Sequence, residues 1–258
     1  MSIFIIKYIK HLNNIIMLAT KRLMKEYKIL KENKNVVVQF DESNIYKLTV
    51  FVTGPLKTPY ENGIFQFMVD CGNNYPIKPP NISILTTNNG TIRFNPNFYA
   101  NGKLCVSMLG TWGQTTWNPV LQIETILLSI QSMMTEDPYH NEPGHEQHTN
   151  SDMCGNYAAK IRHEVIRIAI IQSCKHFLQM KMGSDFLRKY IDIIPNLINE
   201  CNESLKIYKD GVDFFVASFE SPSNGAHGRF MYTKLIEQLE NLKIEIIEHL
   251  QSVDTDTD

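Results

Sequence analysis

Between Val36 and Leu85 the apolar residues recur with a period of two, and the spacers between the runs are short and rich in Gly, Pro and Asn. Val36 to Phe40 is the first run. In the second, Tyr46, Leu48, Val50 and Val52 alternate with Lys47, Thr49 and Thr53; Ile64 to Val69 follows Gly63, and Ile82 to Leu85 follows two prolines. Such spacers favour antiparallel neighbours over crossovers, which need a helix-sized connection, so the segment reads as a four-stranded meander.

Helical spacing brackets these strands. Thr20 is placed to cap a helix carrying Leu23, Tyr27 and Leu30 on one face, with Lys21, Arg22, Lys25 and Lys28 facing outward. Before it, Ile5, Ile9, Leu12 and Ile16 share a face of a short amphipathic helix that packs on the domain; the unbroken apolar run Ile3 to Ile6 is too short for a signal-peptide core or a membrane span. Beyond the strands, Asn118 is expected to cap and Pro119 to begin a buried helix running to about Met134. A third helix is expected over Gly155 to Met180 and a fourth over Ser184 to Lys209, broken at Pro195. A fifth spans Phe230 to Gln251, with Leu235, Leu239, Leu242, Ile246 and Leu250 on one stripe, and Glu220 to Gly228 reads as a loop. Helix, strands, then helices make an α+β domain with a helical annex, within the reach of a 258-residue chain.

Net charge is −2, which gives no global electrostatic reason to bind nucleic acid. The run from Lys7 to Lys34 is nonetheless basic, and it is either a solvated helix face or a docking surface for an acidic protein partner. The five cysteines, Cys71, Cys105, Cys154, Cys174 and Cys201, form no C-x-x-C pair, so neither a zinc knuckle nor a disulfide framework is expected, and a reducing compartment suits them. His140, His145 and His148 lie in a proline-broken loop without a recognised ligand template, so no metal is assigned to them. Glu136, Asp137, Glu142 and Glu146 make that loop acidic, as solvated charge or as a carboxylate that orients an amine.

The stretch Arg93 to Trp117, RFNPNFYANGKLCVSMLGTWGQTTW, has little periodicity. An Asn-Pro-Asn corner and an Asn101-Gly102 turn suit a fixed loop that presents a side chain. Cys105 within it is open to two readings, a core thiol between Leu104 and Val106 or a displayed nucleophile. The stiff connectors Gly54-Pro55…Pro59-Tyr60-Glu61-Asn62-Gly63 and Tyr75-Pro76-Ile77-Lys78-Pro79-Pro80 are likewise either recognition knobs or turns that align strands.

Taken in order, those two connectors, Asn95-Pro96-Asn97, Cys105 eight residues after that Asn, and Trp117-x-Pro119 before a buried helix resemble the ubiquitin-conjugating enzymes. The resemblance covers about Leu18 to Gln179. FNPNFY, Leu109-Gly110-Thr111-Trp112, SIQSMM and PYHNEPGHEQ are similar to the branch called ubiquitin-conjugating enzyme Z, as are Arg162-His163-Glu164 and the helix from Phe230.

The resemblance implies a ubiquitin-conjugating fold over residues 18–180, an N-terminal extension over 1–17 and a helical C-terminal extension with an acidic tail over 181–258. It implies that Cys105 accepts ubiquitin or a ubiquitin-like modifier from an activating enzyme as a thioester and yields it to a substrate lysine, usually with a ligase. Asn97 would steady the oxyanion or its loop, and Glu142 would position or desolvate the lysine. Lys21, Arg22 and Lys25 would face the activating enzyme, while Ile77, Pro119 and Val120 would face ligases. No cofactor is expected, ATP being used by the activating enzyme, and neither is nucleic acid. The expected location is cytoplasm or nucleus.

The chain departs from the wider family at Asn95, where His is usual, at Ser107, where Asp is common, at Glu142, an acid of the other length, at Cys71 in place of a proline, and in the insertion Gly110 to Thr116. A non-catalytic ubiquitin- or ligase-binding module of the same fold is the alternative, which retention of Cys105, Asn97 and Glu142 opposes. A cysteine hydrolase lacks an identifiable histidine partner near Cys105.

Overall fold

The computed structural model describes residues 3–33, 36–41, 43–111, 117–147, 150–214 and 228–255. Trp112 to Thr116, His148, most of the Glu220 to Gly228 segment and the last acidic residues lie outside the described residues. The chain forms two compact units: Met1–Thr53, Phe65–Leu85 and Gly102–Met133 make one, and Gly54–Ile64, Thr86–Asn101 and Met134–Asp258 make the other.

In the first unit the expected meander is present. Strands β1 (Val36–Phe40), β2 (Lys47–Thr53), β3 (Ile64–Asp70) and β4 (Asn81–Ile84) lie in sequence order in one sheet. β1 pairs antiparallel with β2, Val38 opposite Val50, and β3 with β4, Met68 opposite Ser83. Leu48, Val50 and Val52 are buried as the alternation requires, and Phe51 is buried on the opposite face.

Helix α1 runs unbroken over Ile3–Glu32, so Thr20 lies inside a helix and caps nothing. Nothing between Leu12 and Thr20 breaks a helix, since the stretch holds neither Gly nor Pro. Ala19, Leu23, Tyr27 and Leu30 are buried on one face. Helix α2 (Ile123–Ser132) also starts later than expected. The Asn118 carboxamide accepts the Val120 N–H at 3.0 Å, closing a turn over Asn118 to Leu121 rather than capping a helix. The N-terminal Ile123 N–H is capped instead by the Glu26 carboxylate of α1 at 2.7 Å, a partner ninety-seven residues away.

In the second unit a continuous helical rod comprises α3 (Ser151–Glu164), a π-helical segment (Val165–Gln172) and α4 (Ser173–Met180). It is followed by α5 (Ser184–Ile207) and α6 (Tyr232–Thr255), which pack along each other. The expected break at Pro195 is absent: α5 continues through an exposed Pro195. An interior proline costs about 3 kcal/mol, whereas each large apolar side chain buried contributes about 1.5–3 kcal/mol. With Ile194, Leu197 and Cys201 buried around and beyond the proline, burial wins. The α6 stripe Leu235, Leu239, Leu242, Ile246 and Leu250 is buried as its spacing requires.

Polar groups fix the annex in register. The Asp210 carboxylate accepts the Tyr232 and Thr233 N–H groups at 2.6 and 3.1 Å, capping α6. His163, fully buried, accepts the Met231 N–H on Nε2 at 3.0 Å, so its proton sits on Nδ1 and is donated to Glu164 at 2.9 Å. Arg162 makes two parallel bonds to Glu200 of α5, 2.6 and 2.7 Å, and donates to the Glu61 carbonyl at 2.6 Å.

Burial opposes the charge on Glu164, but hydrogen bonds from His163 and Arg167 outweigh it and hold the carboxyl below its ordinary range. A depressed folded pKa gives stability that is present above the unfolded value, about 4.3, and lost as pH falls through the folded one. Thermal midpoints of wild type and Glu164→Gln should therefore differ most near neutral pH, with the variant lower, and converge as the pH is taken below about 4.

Candidate active site

Cys105 belongs to the first unit, three residues after the chain enters it at Gly102. Gly102 has φ +89, and a Cβ there would stand 3.0 Å from the Ile84 carbonyl. The Ile84 N–H donates to the Gly102 carbonyl at 3.0 Å, so glycine lets the loop dock on the end of β4. After Cys105 the backbone turns through one 3₁₀ turn, Ser107–Leu109. Thr111 closes it: its Oγ1 accepts the Val106 N–H at 2.8 Å and donates to the Val106 carbonyl at 3.0 Å. The residue adjoining the thiol is thus held at both backbone polar groups.

Cys105 is 5% exposed, among Leu104, Val106 and Leu109, all buried. Burial pushes the Cys71 and Cys174 thiols well up and the Cys201 thiol up to about 12, and burial with the nearby Asp137 raises that of Cys154.

Asn95, Asn97 and Glu142 lie in the second unit. Asn95 is fully buried and joins three groups: its Nδ2 donates to the Tyr60 hydroxyl at 2.9 Å, its Oδ1 accepts the Asn97 N–H at 2.9 Å, and its carbonyl accepts the Phe98 N–H at 2.9 Å. Tyr60 in turn donates to the Phe94 carbonyl at 2.8 Å. Tyr60 comes from the Gly54 to Gly63 corner, where a Cβ on Gly54 would stand 1.9 Å from the Tyr60 carbonyl oxygen, so only glycine fits. Asn97 is therefore positioned through its backbone, and its half-exposed carboxamide hydrogen-bonds no described residue.

Glu142 follows a 3₁₀ turn, Pro138–Asn141. Its carboxylate lies 3.3 Å from Arg93 Nη2, and the same nitrogen donates to the Pro96 carbonyl. Arg93 is buried and stacks on the Tyr99 ring at 4.6 Å. One guanidinium thus ties the Asn-Pro-Asn corner to Glu142. Sequence reasoning named Asn97 and Glu142 but missed Arg93, Tyr60 and Thr111; Tyr60 and Arg93 stand inside the quoted motifs, and their contacts are long-range.

The expected partner faces fall in the first unit. Lys21 and Lys25 are exposed on α1, as are Ile77, Pro119 and Val120 on their loops. Trp117 Nε1 donates to the Pro76 carbonyl at 2.7 Å, joining the loop of Ile77 to the one bearing Pro119 and Val120. Arg22 does not face outward as expected. Its guanidinium pairs with Glu26 and donates to the carbonyls of Pro119, Val120 and Leu121 at 3.3, 3.2 and 2.7 Å. Buried Glu26 attracts that charge inward because an unpaired carboxylate there would be costly.

A family model described as ubiquitin-conjugating enzyme matches residues 22–165, more than half of the chain, and spans both Cys105 and Glu142. The chain belongs to the ubiquitin-conjugating enzyme family. It is 38% identical over 214 residues to ubiquitin-conjugating enzyme E2 Z of Xenopus tropicalis, a match covering 81% of this chain and 65% of that protein. Against the Homo sapiens protein of that name the identity is 38% over 224 residues, covering 84% of this chain and 60% of the relative. A probable ubiquitin-conjugating enzyme, protein 17 of Caenorhabditis elegans, is 32% identical over 251 residues, covering 87% of this chain and 34% of its own length. The chain thus spans less than two thirds of the length of these relatives. The ubiquitin-conjugating fold with its helical C-terminal region agrees with this membership.

Thr111→Val keeps the shape of the side chain and removes both bonds to Val106. Amide hydrogen exchange should quicken across Val106 to Gly110, by the factor that about 1–2 kcal/mol of lost protection implies, while α6 is unchanged.

Proposed function

We propose that this chain is an active conjugating enzyme that carries ubiquitin, or a ubiquitin-like modifier, as a thioester on Cys105. The observation that supports this most is Cys105 itself. Of five cysteines it alone stands in a loop held on one side by the Gly102 and Ile84 backbone and on the other by Thr111, inside the matched family segment.

In the first step the Cys105 thiolate attacks the thioester carbonyl of the charged activating enzyme. The tetrahedral adduct expels the activating enzyme's thiolate, and exchange of one thioester for another is nearly energy-neutral. In the second step a substrate lysine amine attacks the Cys105 thioester, the C–S bond breaks, and the amine proton is lost as the isopeptide bond forms. ATP is consumed by the activating enzyme, so this chain needs no cofactor.

In this reading Asn97 steadies the oxyanion or the loop that shapes the site. A neutral carboxamide with no other hydrogen-bond partner among the described residues suits that task, because it does not titrate. Glu142 takes the acidic role toward the lysine, with Arg93 holding its carboxylate in one orientation. Lys21 and Lys25 form the face for the activating enzyme. Ile77, Pro119 and Val120 form the ligase face, and Arg22 braces it from beneath. Thiol chemistry of this kind belongs in cytoplasm or nucleus.

Incubation with activating enzyme, ATP and ubiquitin should give an adduct that thiol reductant removes, and none with Cys105→Ala. Glu142→Gln should charge normally yet discharge to free lysine about 100-fold more slowly. Persistence of the adduct in Cys105→Ala would overturn the reading. Absence of any adduct, with ubiquitin or another modifier, would leave the non-catalytic binding module.

A further inference from the structure

A second cluster of reactive side chains lies in the second unit and has no part in the proposed transfer. The 3₁₀ turn Pro138–Asn141 brings Asp137 and His140 to the first turns of α3, where Cys154 is the fourth helical residue. Cys154 Sγ is 3.7 Å from His140 Nε2, and Asp137 Oδ2 is 3.5 Å from His140 Nδ1. One donor atom from each of the three residues can be chosen so that all lie within 4.8 Å of one another.

We propose that Asp137, His140 and Cys154 form a binding site for a borderline-soft divalent cation, zinc being the best match. Thiolate and imidazole together select zinc over the oxygen-seeking magnesium and calcium. Zinc bonds of about 2.3 Å to sulfur and 2.0 Å to nitrogen at a tetrahedral angle set the two donors about 3.5 Å apart, close to the observed separation. Asp137 either completes the protein ligands or orients the imidazole from its far nitrogen, both recurring arrangements around zinc. Its other oxygen is fixed by the Tyr139 N–H at 3.3 Å, so the carboxylate is already oriented. Cys154 is 9% exposed while the His140 and Asp137 side chains are 36% and 38% exposed, so the sulfur is sheltered and the site still opens to solvent.

Binding forms metal–sulfur and metal–nitrogen bonds, releases the thiol proton to solvent, and leaves water in any remaining position. It therefore tightens as pH rises. The ion would clip the turn carrying His140 to α3, and Glu142 is two residues beyond His140.

The test is titration of the purified full chain with Co²⁺ and Zn²⁺. One equivalent of Co²⁺ should give a thiolate-to-cobalt charge-transfer band that Zn²⁺ bleaches and Mg²⁺ does not. Cys154→Ser should abolish the band, His140→Ala should weaken zinc at least about tenfold, and Asp137→Asn should weaken it about 10- to 100-fold. Cys105→Ala should leave the band and the affinity unchanged. Should Cys154→Ser fail to fold, the band and affinity in His140→Ala, whose side chain is partly exposed, decide. Zinc should also raise the thermal midpoint of wild type more than that of His140→Ala at the same zinc concentration. Absence of the band in wild type, its survival in Cys154→Ser, undiminished affinity in His140→Ala, or its loss in Cys105→Ala would each overturn the proposal.

Discussion

The first unit depends on one buried carboxylate. Glu26 is 1% exposed, and its two oxygens accept from the Arg22 guanidinium, from the Tyr75 hydroxyl at 2.6 Å and from the Ile123 N–H at 2.7 Å. A buried charge left without partners would cost several kcal/mol, so these donors must be brought to it. They come from α1, from the loop after β3 and from the start of α2, three elements with no other reason in sequence to converge. Arg22 then extends the grip to three successive carbonyls, Pro119 to Leu121, and Trp117 extends it to Pro76. The exposed apolar tips Ile77 and Val120 are therefore mounted on loops whose backbones are fixed, and the apolar surface proposed for ligases costs little ordering on binding.

The second unit uses a neutral amide and two guanidiniums for the same purpose. Asn95 can replace the family's histidine because a carboxamide offers a donor and an acceptor at once, and both are used, toward Tyr60 and toward Asn97. The departure thus leaves the corner satisfied. Arg93 secures Glu142, and Arg162 secures α5 through Glu200 and the Gly54 to Gly63 corner through Glu61. Arg162 thus ties α5 to the corner that also supplies Tyr60, the partner of Asn95, which gives the C-terminal region a structural task even before any partner is considered.

Much of this was legible in the residues because it follows from local rules. The period of two announced the meander, the α6 stripe announced its buried face, and the ordered motifs announced the family. What was not legible depends on distant partners. Asn118 followed by Pro119 looks like a helix start, yet α2 begins at Ile123 because its cap comes from Glu26. Arg22 looks like one more cation on a basic face, yet a buried acid one turn away draws it in. Pro195 looks like a break, yet burial along α5 outweighs it. Cys154 carries no signal at all in sequence, since it lies on α3 while its neighbours Asp137 and His140 belong to the turn before that helix.

The account rests on Cys105 being the acyl carrier. Cys105→Ser replaces the thiol by a hydroxyl of similar size, and an oxygen ester exchanges far less readily than a thioester. After reaction with activating enzyme, ATP and ubiquitin, tandem mass spectrometry of the digested variant should place the modifier's C-terminal remnant on the hydroxyl introduced at position 105, in an adduct that survives thiol reductant. A remnant found instead on another cysteine, or only on lysines, would contradict it.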